Sequence, residues 1–268
     1  MPNARLALHT DHPMLTPVID ALYSAFYVSP LGDRVECWID LCSEEYWQKL
    51  VAEGRSRMVR NLTEETFDHL SWHAMCWDRD HPETVWYFLP RLLDQQVASV
   101  FHRKVSEPQV KIEMLCEIIY GLDWRQWPNG RGVALEDAWR QIWRYATVEK
   151  RRERYGDSVT ALLLAVGFEV AELRAELSRW SICEGADVMA EAVSDSVKGT
   201  GAIDTLDGWA EIWGNFGVTL ERRLAMVEWF RDPATMELLE AGFFASTEPE
   251  QQARISEASQ LLGTVSGW

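Results

Sequence analysis

Residues 61–95 read NLTEETFDHLSWHAMCWDRDHPETVWYFLPRLLDQ, and this stretch decides the fold class. Its apolar residues recur every three to four positions, the period of an amphipathic helix, with no run that alternates as a strand would. The spacing predicts one helix over 63–77. Glu64 and Glu65 fall in its first turn, where carboxylates oppose the positive end of the helix dipole. Pro82, directly after His81, opens a second helix over 82–104, because proline is tolerated at the first helical position. Pro90 lies inside that second helix and is expected to kink it.

Working outward, the same period continues in both directions. Upstream, residues 13–28 place Leu15, Val18, Ile19, Leu22, Ala25 and Phe26 on one face, and a further helix is expected at 43–53. VECWIDLC at 35–42 fits a short strand or a helix equally well. Downstream, residues 107–121 align Ile112, Leu115, Cys116 and Ile119. Helices are then predicted at 133–154, 157–179, 183–198, 203–216, 219–231, 234–244 and 248–263. Asp232-Pro233 reads as an N-cap followed by proline at the first helical position, and Thr247 with Glu250 has capping-box spacing. The segment WRQWPNGRG at 124–132 is the clearest break in the chain. The expected architecture is therefore all-α: a multi-helix bundle, stacked helical hairpins, or a solenoid-like array. Two units are expected, an N-terminal one over 1–123 and an acidic C-terminal one over 133–268, packed separately or as one domain. Trp139, Ile142 and Trp143 form a WxxIW pattern that returns in Trp209, Ile212 and Trp213. Two unrelated amphipathic helices with tryptophan in the core explain it more simply than a duplication.

Composition limits the functions available. The chain has 268 residues, enough for one large domain or two small ones, and 47% of them are apolar, which excludes a disordered chain. Its formal charge is −16, and residues 167–268 carry 7 basic against 18 acidic side chains, so most of that charge sits in the C-terminal part. Such a chain repels phosphate backbones and anionic lipid surfaces, which argues against nucleic-acid and membrane partners. No stretch has the length of a secretory apolar region or a membrane span. The five cysteines are odd in number and irregular in spacing, which reads as reduced thiols and a cytoplasmic location rather than a disulfide framework.

The chemistry-bearing patterns are few. His69 and His73 share a helix face at four-residue spacing, with Cys76, Asp78, Asp80 and His81 nearby as further donors. The glutamate of a zinc-protease HExxH motif is missing, so two partly exposed helix histidines is the simpler reading and no metal or other cofactor is expected. Cys37 and Cys42 have no second cysteine pair to complete a zinc site. GTGAID at 199–204 is a turn rather than a phosphate loop, and no nucleophile elbow is present. In VEKRRERY at 148–155, Glu149 and Glu153 offset the basic residues, as on a solvated helix face.

Residues 18–97 as a pattern resemble a family of uncharacterised bacterial helical proteins. That family pairs a helix of the form LTxxxLxxYxxxAxxTWGD with a following FLPRLLEL helix. The matching positions are Leu62, Thr63, Phe67, Leu70, Ala74, Trp77 and Asp78, then Phe88, Leu89, Pro90, Arg91, Leu92 and Leu93. Family members often carry a compact cysteine cluster upstream, where this chain has only Cys37 and Cys42. The resemblance implies a helical fold and carries no activity.

With no catalytic motif, an acidic surface and 14 tryptophans, the sequence reads as a non-enzymatic protein-binding chain. Its expected role is that of an immunity- or antitoxin-type neutraliser that occludes a basic bacterial toxin. Asp187, Glu191 and Asp195, at i, i+4 and i+8, and then Asp204, Asp207 and Glu211, form the expected contact surface. The alternatives are a metal-dependent helical enzyme centred on His69 and His73, and a helical adaptor within a larger complex.

Overall fold

In the computed structural model of the chain, residues 13–27, 30–35, 45–102, 112–148, 159–198 and 217–264 are described, and they contain twelve α-helices and no strand. The helices are α1 (Thr16–Ala25), α2 (Glu45–Ser56), α3 (Glu64–Trp77), α4 (Pro82–His102), α5 (Ile112–Gly121), α6 (Arg131–Val148), α7 (Val159–Ala165), α8 (Val170–Leu177), α9 (Ile182–Lys198), α10 (Leu220–Arg231), α11 (Pro233–Ala245) and α12 (Pro249–Thr264). Short 3-10 turns occupy Val59–Asn61 and Trp124–Gln126. The all-α reading therefore stands. The undecided segment at 36–42 and the helix expected at 203–216, with its second WxxIW, lie outside the described residues. No described helix is long and apolar enough to cross a membrane. Among the described cysteines, Cys76, Cys116 and Cys183 form no disulfide.

The chain divides into two compact units, Met1–Tyr145 and Ala146–Trp268. The division falls beyond the break at 124–132, for a physical reason. That segment is a packed turn rather than a linker. Trp124 and Trp127 are buried, and Trp127 meets Phe26 and Trp86 edge to face at ring separations of 5.8 and 5.9 Å. Asp123, Asn129 and Gly130 all adopt positive φ there, which returns the chain into α6 and keeps most of α6 in the first unit.

In the first unit α4 is the central element. Val85, Tyr87, Phe88, Leu89, Leu92 and Leu93 are all buried, so this helix is covered on nearly every side. It continues through Pro90 as a single helix. α1 packs on it through the predicted face of Leu15, Ile19, Leu22 and Phe26, and α3 packs on it through Phe67 against Phe88. α2 lies against α3. They approach closely because Gly54 has no side chain: a Cβ there would sit 2.5 Å from Leu70 Cδ1.

Thr63 caps α3, its hydroxyl accepting from Thr66 N–H at 3.3 Å. Glu53 of α2 ties the two helices together. Its carboxylate accepts from Thr63 N–H at 2.8 Å and from Thr66 Oγ1 at 2.7 Å, and pairs with Arg57 at 3.0 Å. Burial opposes the charged form of Glu53, but the hydrogen bonds from Thr66 and Thr63 and the charge of Arg57 prevail and hold its carboxyl below the ordinary glutamate range.

In the second unit α9, α11 and α12 pack on one another, and α10 packs on α8 and α11. α11 begins as expected at Asp232-Pro233, with Asp232 Oδ1 accepting from Ala234 N–H at 3.0 Å. Two expectations change. The helix foreseen over 157–179 is two helices, separated at Gly167, whose φ of 105° no ordinary helix accommodates. α12 begins at Pro249, which puts Thr247 one residue too early to cap it. The polar contacts run through Ser246 instead, whose hydroxyl accepts from Glu248 N–H at 3.2 Å and donates to Gln251 Oε1 at 2.6 Å.

Candidate functional site

α3 carries a second face that the core does not use. His69, Trp72, His73 and Cys76 follow one another at helical spacing, and Trp77 flanks them. Trp72 is 40% exposed and Trp77 68%, a costly position for residues with so much apolar area. From α2, Tyr46 and Trp47 lean against the same face. The Trp47 ring meets His73 at 4.6 Å and His69 at 5.4 Å, both nearly perpendicular. Tyr46 meets His69 at 5.8 Å and donates from its hydroxyl to Glu65 Oε1 at 3.0 Å. The result is a surface of indole, phenol and imidazole rings bordered by carboxylates.

The two histidines are thus packed against an indole. Burial, and secondarily the charge of His69, pulls His73 below the ordinary histidine range. The further metal donors considered for them are not assembled. Burial raises the Cys76 thiol, against a smaller opposing effect of Arg79, which disfavours the thiolate a metal would need. Asp78 is taken up elsewhere: its Oδ1 pairs with His81 Nδ1 at 2.5 Å, and its Oδ2 accepts from Thr84 Oγ1. Thr84 Oγ1 in turn accepts from Arg34 at 2.9 Å. This node locks the α3–α4 corner. Among the described residues no group of three or more His, Cys, Asp or Glu is placed to hold a metal.

The acidic stripe foreseen on α9 is not a single exposed surface. Asp187 is only 4% exposed and faces α12, where Arg254 grips it through Nε at 3.0 Å and Nη2 at 3.1 Å. Four residues span 400° of an α-helix, so each i, i+4 step turns the face by about 40°. That rotation brings Glu191 out to solvent while Asp187 stays inside. Asp195 lies on α9 with its side chain outside the described residues, and Asp204, Asp207 and Glu211 lie outside them altogether. Asp187 is therefore a packing residue of the second unit.

The FLPRLL segment has a structural role that its sequence conceals. Arg91 is 3% exposed. Its Nη1 donates to the carbonyls of Val59 at 2.9 Å and Leu62 at 2.7 Å, its Nη2 reaches Glu64 at 2.9 Å, and its guanidinium lies 4.4 Å from the Phe67 ring centre. Arg91 thus fixes the turn that leads into α3 and so sets where the aromatic face stands. Burial raises the nearby Tyr23 hydroxyl far above its ordinary range, with Asp94 adding to the effect and Arg91 opposing it. Comparison with family models, with curated proteins and with solved structures gives no match to this chain.

Proposed function

We propose that this chain is a non-enzymatic protein-binding protein, an immunity- or antitoxin-type neutraliser that occludes a basic bacterial toxin, and that Trp72, Trp77 and Tyr46 are its anchors. The observation that carries the reading is the exposure of two tryptophans that flank the His69/His73 face of α3 on either side, in a chain whose formal charge is −16. Solvent-facing tryptophans cost hydration free energy, and they are the residue type that most often dominates binding at interfaces. The net charge accelerates encounter with a cationic partner, and the arginines or lysines of that partner can stack on exposed indoles. Glu65, hydrogen-bonded to Tyr46, supplies a local carboxylate beside that anchor. The fold contributes a rigid platform, because Arg91 and Glu53 fix α3 at its start and against α2.

The test is a tagged pull-down from the native host at low and high salt, with the wild-type chain and a Trp72→Ala/Trp77→Ala variant. The reading predicts one stoichiometric basic partner, released by salt and lost from the double variant. Recovery of the chain alone, or of a partner indifferent to both salt and the double substitution, contradicts it.

A further inference from the structure

The aromatic face holds its two histidines differently from the histidine just beyond it. His81 has a carboxylate for its Nδ1, that of Asp78 at 2.5 Å. Among the described residues neither His69 nor His73 has a carboxylate or a hydrogen-bond partner, and His73 Nδ1 is buried with nothing to bond to. Both rings instead meet one indole, that of Trp47 on α2, at 5.4 and 4.6 Å. Tyr46 adds ring contacts of its own, to His69 at 5.8 Å and to Trp47 at 5.9 Å. The two imidazoles stand four residues apart, one turn along α3. This end of the seam between α2 and α3 is therefore made of ring contacts rather than of ion pairs.

The charges around these rings do not answer a proton placed on them. On α2, Tyr46 commits its hydroxyl to Glu65, and Glu53 is taken by Thr63, Thr66 and Arg57 at the other end of the seam. Lys49 is exposed and adds positive charge. On α3, Glu64 is held by Arg91 and Gln95. Asp68 is the carboxylate that acts on His69, but burial, and after it the charge of Glu64, raises Asp68 and makes it a poor counter-ion in acid. Arg79, which acts on Cys76, is a further cation. A neutral His73 can keep its proton on Nε2. The charged ring must carry one on buried Nδ1 as well, where nothing accepts it. A proton on His69 then adds a like charge one turn away. Trp47 is shared by both rings, so a cation–π contact with it cannot meet two charges.

We propose that His69, His73 and Trp47 form an acid-sensitive latch between α2 and α3, in which protonation of the imidazoles loosens the two helices and dismantles the aromatic face. The release of a cationic partner by that opening rests on the neutraliser reading; the opening itself does not.

The test is thermal unfolding of the full chain at about pH 7.5 and pH 5.5, either side of the unfolded histidine value, read at the transition of the first unit, with hydrogen exchange of α2 measured alongside. Unfolded histidine titrates near 6.5, so a ring that resists the proton in the folded chain takes stability away as pH falls below that value. Asp68 works in the opposite sense: a raised folded carboxyl gains stability in acid, so a fall is not its doing. The proposal predicts a wild-type midpoint lower at the acid pH by about 3–5 °C, what a tenfold change in the folding equilibrium produces in a unit of this size. Exchange in α2, corrected for the intrinsic effect of pH, should quicken relative to α4. His73→Phe keeps a ring against Trp47 and takes no proton, so it should hold its midpoint at the higher pH and lose most of the acid response. His73→Gln should lose the acid response as well, from a lower starting midpoint. A wild-type midpoint that holds or rises in acid, as it would if the Trp47 face met the charge, overturns the proposal. So does an acid response that both variants retain, or α2 exchange that keeps pace with α4. No partner enters this test, so its failure leaves the neutraliser reading standing, and a failed pull-down leaves the latch.

Discussion

Replacing Arg91 by methionine tests how the aromatic face is held. The substitution keeps most of the side-chain length and removes every donor. Leu62 O loses a hydrogen bond of 2.7 Å, and Val59 O loses one of 2.9 Å but keeps a longer backbone bond from Leu62 N–H at 3.3 Å. Glu64 contributes little to the loss. Its side chain is 54% exposed, and Gln95 still donates to its Oε2 at 2.9 Å. One fully and one partly unsatisfied carbonyl, plus the contact of the guanidinium with Phe67, amount to a destabilisation of about 2–4 kcal/mol. Lysine at this position keeps the charge but cannot fork between two carbonyls and a carboxylate, so Arg91→Lys should recover less than half of the loss. Urea unfolding followed by tryptophan fluorescence measures both variants, with the transition of the first unit as the relevant one. An Arg91→Met variant within about 0.5 kcal/mol of wild type, the range of an ordinary surface change, would refute the clamp.

Further outcomes follow from the same geometry. Glu53→Gln should cost about 1–3 kcal/mol near neutral pH, because it weakens charge-assisted bonds from Thr63 and Thr66. The folded-state value of Glu53 is depressed, so its contribution is fully present above the unfolded glutamate value of about 4.3 and is lost as pH falls through the lower folded value. The gap between wild type and Glu53→Gln should therefore close in acid, and a gap that persists unchanged at pH 2 contradicts the assignment. Asp187→Ala and Arg254→Ala should each destabilise the second unit, and their double-mutant cycle should give a coupling of about 1–3 kcal/mol; additive losses would remove the pair as a strut. Gly242→Ala should cost about 1–3 kcal/mol, since the new Cβ would stand 2.1 Å from Ala186 Cβ at the crossing of α11 and α9. Ala186→Gly in the same chain should restore much of it.

The sequence made the helices readable because its punctuation is chemical. Proline at 82 and 233 and aspartate at 232 each mark a helix start where the structure has one. It misled where burial overrides pattern. ALLLAVGF at 161–168 is apolar throughout, so its period cannot show that Gly167 ends α7. The glycine- and proline-rich turn at 124–132 looked like a boundary, although two of its tryptophans are core residues. The candidate site was legible only in part. His69 and His73 share a face as their spacing requires, but Trp47, which packs against both, comes from another helix. Spacing gave no means of telling Trp72 and Trp77, which face solvent, from Trp139 and Trp143, which are buried. Asp187 showed the opposite error, a charge read as surface that turns inward to Arg254.

The most direct test of the central claim is the affinity of the purified partner for the wild-type chain and for Trp72→Ala/Trp77→Ala, measured at two ionic strengths. Both tryptophans are exposed enough for the variant to keep its fold, which circular dichroism and its unfolding midpoint verify. The account predicts at least a hundredfold loss of affinity, about 2.7 kcal/mol, for the double variant, and slower association for both proteins at high salt. Equal affinities for the two chains, with an association rate insensitive to salt, would contradict it.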